Sequence, residues 1–196
     1  MSILRAADRQ EENEACVQMV GQNNCHYVFF CGVLGNLLLA MLCSHFDSVT
    51  IGGGSTYFGI DFCISALGSD CRSRDAESYR NLSIIAVDLV AANATSTRAK
   101  IGGLLEKAKD DAATAESLLA CQALYGGIVD LLPGCTAAIK GGKFDQAALN
   151  LERAASAAKE CEDAFRKHNL ASPLTVEDDS AFKLAKLAVA LLGFAS

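Results

Sequence analysis

The stretch ASAAKECEDAF, residues 155–165, is an alanine-rich segment with one cysteine, Cys161, near its middle. Ala155, Ala158, Cys161 and Phe165 recur at intervals of three and four, the spacing that places side chains on one face of an α-helix. The segment therefore predicts a helix that buries this face. A thiol on such a face is most often a small buried hydrophobic group, unless a second cysteine lies at a matching position elsewhere in the chain.

Three other segments beyond residue 81 repeat the same helical period. Their apolar stripes run through residues 82–105, 118–139 and 182–192, and the stripe of the opening segment extends from Phe144 to Phe165. The connections between the four segments are short. Amphipathic helices joined in this way predict an all-α fold, an up-down-up-down four-helix bundle.

Local signals predict where these helices begin and end. Asp110-Asp111 interrupts the apolar pattern and suits the first turn of the second helix, since acidic side chains favour a helix N-terminus. Pro133 is expected to kink that helix without ending it, and Gly141-Gly142 is expected to end it. Thr175 and Asp178 approximate a capping box at the start of the last helix.

Cys121 is the matching partner for the cysteine of the opening stretch. Gly141 lies midway between Cys121 and Cys161 in the sequence. If the second and third helices fold back on each other at the glycine pair, the two cysteines therefore face one another. A disulfide here would close a loop of about 40 residues and contribute roughly 4 kcal/mol to stability. We predict this bridge, and the alternative is two reduced core cysteines.

Composition argues against several classes of function. The net charge of −6 and the isoelectric point near 5.0 argue against nucleic acid or an acidic membrane surface as the main partner. The three histidines lie far apart, and neither Glu-x-x-His nor Cys-x-x-Cys occurs, so we predict no metal site and no cofactor. The bundle shows no Ser-His-Asp order or phosphate loop, so we predict no catalytic residues and no enzyme activity.

The nine cysteines favour an exported, disulfide-forming protein. Sequons at Asn81 and Asn93 are weak glycosylation signals that fit export. The chain as given lacks a basic signal-peptide start. Its uncharged stretch 27–43 is at the lower limit for crossing a bilayer and also suits a signal segment or a buried helix, and we do not expect membrane association.

Several motifs, taken in order, resemble the plant invertase and pectin methylesterase inhibitor family. They are "DFCISALGSDCRSRDAESYRNLSIIAVDLV" from Asp61, "LLACQALYGGIVDLL" from Leu118, "KECEDAF" from Lys159 and "SPLT" from Ser172. The resemblance covers roughly residues 57–195. It implies a four-helix bundle preceded by a small N-terminal helical hairpin, with two disulfides, one of which matches Cys121–Cys161.

The resemblance also implies that Cys63 is the second cysteine of the other disulfide, which ties the hairpin. We predict Cys16 as its partner, because joining "EACVQMVG" directly to "GGSTYFGIDFC" restores a spacing like that of the family. A Cys16–Cys31 pair is the alternative.

On this interpretation residues 22–52 are an insertion. Cys25, Cys31 and Cys43 then belong to the insertion and take no part in the disulfides of the family. Residues 1–52 then form an atypical N-terminal segment, and residues 53–196 form the inhibitor domain. Cys71 and Cys135 are additional to the pattern of the family.

The resemblance implies a secreted inhibitor of the apoplast or cell wall, with the vacuole as an alternative location. Such an inhibitor acts by one-to-one occlusion of the substrate cleft of another enzyme. Pectin methylesterase is the first expected target, on its frequency in the family alone, and acid invertase is the alternative. A non-inhibitory or membrane-anchored structural bundle is a further alternative.

One turn carries information about the target. Invertase inhibitors of the family have Pro-Lys-Phe before the third bundle helix, where this chain has Gly142-Lys143-Phe144, and we predict that these residues bind the target. A lysine can pair with the two carboxylates of a glycosidase while an aromatic ring occupies a sugar subsite. The simpler interpretation is a flexible turn with a solvated lysine and a core phenylalanine.

Overall fold

The computed structural model describes Cys43 and residues 57–108 and 110–195. These residues form five α-helices and one short 3-10 helix, with no strand among them. The α-helices are α1 (Ile60–Gly68), α2 (Tyr79–Lys107), α3 (Ala112–Lys140), α4 (Phe144–Lys167) and α5 (Thr175–Gly193), and the 3-10 helix is Cys71–Asp75. The predicted all-α class is confirmed.

Helices α2 to α5 form a closed four-helix bundle. Helix α2 packs against α3 and α5, and α4 packs against the same two helices. Contacts at both ends set α2 and α5 antiparallel: Lys100, near the end of α2, pairs with Glu177 at the start of α5, while Tyr79 stacks on Phe194. The predicted up-down-up-down bundle is confirmed, and α1 and the 3-10 helix pack against α2.

The stripe of the opening stretch lies in the core of this bundle. Ala155, Ala158, Cys161 and Phe165 each expose 1% of their surface or less. Small alanine side chains on α4 allow neighbouring helices to pack closely, and the ring of Phe165 is buried near the end of the same helix. Tyr125 of α3, which is fully buried, is the other large aromatic residue of the core.

The start and end of α3 follow the predicted signals. The Asp111 carboxylate accepts hydrogen bonds from the Thr114 backbone N–H (3.2 Å) and hydroxyl (2.6 Å), which caps the helix and holds the pKa of Asp111 below its usual range. The helix continues through Pro133 to Lys140, and Gly141 is its C-terminal cap.

The predicted capping box at the start of α5 is wrong. Leu174 is the N-terminal cap residue and offers no side-chain hydrogen bond. The Thr175 hydroxyl instead donates to the Glu162 carboxylate of α4 at 3.0 Å, and Asp178 is buried against Tyr125 of α3. Both side chains form hydrogen bonds with residues of neighbouring helices. The sequence pattern within α5 cannot reveal such contacts.

Helix α3 is long and apolar enough, by length and composition, to cross a membrane. In the bundle, nine of its residues, Cys121 and Tyr125 among them, are buried inside the protein. The core helix of a packed bundle can have the same length and composition.

Candidate functional site

A disulfide joins the two helices that carry the predicted target-binding turn. Cys121 of α3 and Cys161 of α4 are bonded, with their Cα atoms 4.7 Å apart, and both are fully buried. The predicted pairing is confirmed. The covalent link holds α3 and α4 side by side at a point about 30 Å along α3 from the turn between them.

The predicted partner of Cys63 is wrong. Cys63, on α1, bonds to Cys43 with a Cα–Cα distance of 5.9 Å, and both cysteines are buried. Cys43 precedes Cys63 by 20 residues, less than half of the separation from Cys16. The inferred insertion led us to treat Cys43 as a passenger, although its shorter spacing was a usable signal.

Cys16 and the other cysteines before residue 43 lie outside the described residues, as does the apolar stretch 27–43 apart from Cys43 itself. The domain boundary at residue 53 and the insertion over residues 22–52 therefore stay predictions. Cys43 is nevertheless tied to the bundle domain through α1.

The turn between α3 and α4 has a single defined backbone conformation. Gly142 has φ +70°, the left-handed region that glycine adopts without strain. The Lys143 N–H donates to the Ala138 carbonyl at 2.8 Å, and the Gly142 N–H donates to the Ile139 carbonyl at 3.1 Å. These two bonds form a Schellman motif, so the turn is ordered before any partner arrives.

Lys143 is the exposed tip of this turn. It precedes the first residue of α4, and its ammonium group makes no hydrogen bond or ion pair within the described part of the chain. Exposed Lys140 lies one helical turn earlier, at the end of α3. Exposed Asp145, in the first turn of α4, adds a negative charge beside these two lysines.

The position of Phe144 agrees in part with both interpretations made from the sequence, a target-binding aromatic ring and a core phenylalanine. Its side chain packs against the core and is only half-buried. The guanidinium group of Arg80, from the first turn of α2, lies over the ring at 5.1 Å from its centroid. Sequence reasoning missed Arg80 because it belongs to a different helix, and no local pattern links it to the turn.

The two sequons lie on α2. Asn81 is exposed in the first turn, where its backbone N–H donates to the capping Ser78 hydroxyl at 3.2 Å. Asn93 is half-buried in the middle of the helix. Their glycosylation stays a prediction.

The only histidine in the described residues, His168, caps the end of α4 and lies 3.8 Å from exposed Glu116. Among the same residues, no group of three or more histidine, cysteine or acidic side chains is arranged to hold a metal ion.

Comparisons with known proteins agree with this description. The family model of "Plant invertase/pectin methylesterase inhibitor" matches residues 40–191. Two curated relatives, from Platanus orientalis and Platanus acerifolia, both carry the name "Putative invertase inhibitor". They are 29% and 28% identical over 132 residues, which is 67% of this chain and 76% and 73% of theirs.

The crystal structure of a pectin methylesterase inhibitor from Arabidopsis thaliana superposes with a TM-score of 0.56 at 15% identity, covering 82% of this chain and 97% of that one. This likeness shows a shared fold. Since the family match spans more than half of the sequence, the chain belongs to the plant invertase/pectin methylesterase inhibitor family, whose members are inhibitors and not enzymes.

Proposed function

We propose that this protein inhibits a plant acid invertase by placing the turn of residues 142–144 in the catalytic cleft of the enzyme. The observation that carries the proposal is the exposed, unpaired Lys143 at the tip of an ordered turn. The names of the two Platanus relatives support the same target. These observations move acid invertase ahead of pectin methylesterase, which family frequency alone had placed first.

The geometry suits occlusion of a glycosidase cleft. Such enzymes flank the scissile bond with two carboxyl groups, and an ammonium group is complementary to their charge. The exposed part of the half-buried Phe144 ring, next to the lysine and below the Arg80 guanidinium, supplies an apolar surface for a sugar subsite. The Schellman turn fixes the backbone that carries both groups in advance, which reduces the entropy lost on binding.

Pectin methylesterase is the second candidate, favoured by the overall charge. An enzyme that acts on an acidic polysaccharide needs a surface that attracts carboxylates. A protein with a net charge of −6 is complementary to such a surface and would associate with it quickly at low ionic strength.

Two titrations test the proposal. Purified full-length protein with its disulfides intact is added to a fixed amount of acid invertase and, separately, of pectin methylesterase. We expect invertase activity to fall to its minimum near one inhibitor per enzyme. Loss of pectin methylesterase activity alone would support the second candidate, and loss of neither activity would contradict inhibition altogether.

We further propose secretion to the apoplast or cell wall. The two disulfides support this, because such bridges persist in oxidising compartments. An antibody against the protein should detect it in apoplastic wash fluid. Its recovery in vacuoles instead would support the alternative location.

Arg80 should contribute to inhibition although it lies outside the turn. Replacing Arg80 with alanine removes the guanidinium group that lies over Phe144, and we expect the inhibition constant to rise about two- to fivefold. Arg98→Ala is the matched control, since Arg98 is exposed on the same helix far from the turn. Equal weakening in both variants would show that only general charge matters.

A further inference from the structure

A buried polar cluster, which we call the acid cluster, lies at the end of the bundle where α4 connects to α5. At its centre is Asp178 of α5, which exposes only 4% of its surface. One carboxylate oxygen of Asp178 accepts a hydrogen bond from the hydroxyl of fully buried Tyr125 at 2.6 Å. The other oxygen, Oδ2, is buried and has no hydrogen-bond partner.

Every helix of the bundle contributes polar or charged groups to the acid cluster. They are Thr97 and Lys100 from α2, Tyr125 from α3, Glu162 from α4, and Thr175 and Glu177 from α5. Among the described residues, the single cation of this set is Lys100. Its ammonium group donates hydrogen bonds to the Glu177 carboxylate (2.6 Å) and the Pro173 carbonyl (3.0 Å).

Glu162 is the residue that makes the cluster unusual. Its carboxylate accepts hydrogen bonds from the hydroxyl of Thr175, three residues before Asp178 on α5, and its negative charge raises the pKa of Asp178. Two ionised carboxylates offer only acceptors to each other, so a hydrogen bond between Glu162 and Asp178 would require a proton. A proton on the pair would satisfy the orphaned oxygen of Asp178 and leave its other oxygen bonded to Tyr125.

The electrostatics of the site favour that proton. Burial, chiefly, and the neighbouring negative charges of Glu162 and Glu177 together raise the pKa of Asp178 to about 7, although the Tyr125 hydrogen bond opposes the rise. The positive charge of Lys100 does not offset the rise in the pKa of Asp178, because its ammonium group pairs with the Glu177 carboxylate.

We infer that the acid cluster is a proton-dependent latch between α4 and α5, closed by one proton shared between Asp178 and Glu162 and opened when that proton is lost to solvent. With the latch open, the buried Asp178 carboxylate lies beside the partly exposed Glu162 carboxylate, and the packing of α5 on α4 weakens. This inference concerns the stability of the fold and does not depend on which enzyme is the target.

The direction of the pH effect follows from linkage. The pKa of an aspartate is about 3.9 in an unfolded chain, and that of Asp178 in the folded protein is about 7, so the folded state holds its proton more tightly. The extra stability is fully present below the unfolded pKa and is lost as the pH rises through 7. The protein should therefore be most stable in acidic surroundings.

Unfolding in urea, followed by circular dichroism of the full-length oxidised protein at pH 4 to 8, tests the latch. We expect the unfolding equilibrium constant to rise by up to about tenfold per pH unit between pH 5 and 7. Asp178→Asn keeps an acceptor for Tyr125 and offers a permanent donor to Glu162, so it should largely remove this dependence. The matched control is Asp179→Asn, because Asp179 is exposed and pairs with Lys183.

A pH dependence that is the same in the Asp178→Asn variant and the wild type would overturn the inference. If that variant fails to fold, carboxyl chemical shifts of the wild-type protein decide the matter. Titration of the Asp178 carboxyl group near pH 7 supports the latch, and titration below pH 5 contradicts it.

Discussion

Replacing Cys121 and Cys161 together with alanine is expected to lower the free energy of unfolding by roughly 4 kcal/mol. The bridge closes a loop of 40 residues and so lowers the conformational entropy of the unfolded chain. Without the bridge, that entropy rises and the unfolded state becomes more favourable. Both sulfur atoms lie in the fully buried core, so the variant also loses packing between α3 and α4. Denaturant unfolding at one fixed pH measures the difference.

Cys135→Ala is the matched control for this experiment. Cys135 lies on the same helix, α3, is equally buried and forms no disulfide. Its replacement removes a sulfur atom without opening a loop, so we expect a loss of only about 1 kcal/mol. A double variant as stable as this control would contradict the stabilising role of the bridge.

The disulfide variant should also inhibit its target less well. The turn of residues 142–144 joins the two helices that the bridge holds together, and the bridge acts on the way these helices pack and not on the local hydrogen bonds of the turn. Looser helices leave more ordering to occur on binding, which weakens affinity without removing any contact. The inhibition constant of the variant, measured where it is still folded, separates this effect from simple loss of native protein.

The parts of the fold that sequence could predict are those set by local periodicity. The stripe of Ala155, Ala158 and Cys161 specifies one buried face, and the glycine pair 141–142 specifies where the chain reverses. Once both are known, simple counting from the turn pairs Cys121 with Cys161. Each step uses residues whose spacing along the chain translates directly into positions in space.

The features that were missed depend on contacts between distant segments. Thr175 and Asp178 have the spacing of a capping box, yet each is held by a partner on another helix, and those tertiary bonds outweigh the local preference. Arg80 reaches Phe144 only because α2 packs beside the turn. Cys43 was misjudged for a different reason, since an inferred insertion took precedence over its short spacing to Cys63.

Reversing the charge of Lys143 is expected to weaken inhibition of acid invertase at least about 100-fold, which corresponds to about 2.7 kcal/mol. The Lys143→Glu variant would place a carboxylate against the catalytic carboxylates of the enzyme, and like charges juxtaposed at an interface cost several kcal/mol. The fold should be unaffected, because Lys143 is exposed and only its backbone takes part in the turn. Inhibition constants at one ionic strength give the measurement.

Lys140→Glu is the control that separates the tip of the turn from the general charge of the bundle end. It makes the same change in charge on another exposed lysine, one helical turn away on α3. If long-range attraction alone drives binding, both variants should lose affinity equally, and added salt should reduce both losses. If Lys143 enters the cleft, its variant should lose far more, and much of that loss should persist in salt because the charges meet away from water. A Lys143→Glu protein that inhibits invertase as well as the wild type would mean that another surface of the bundle covers the enzyme.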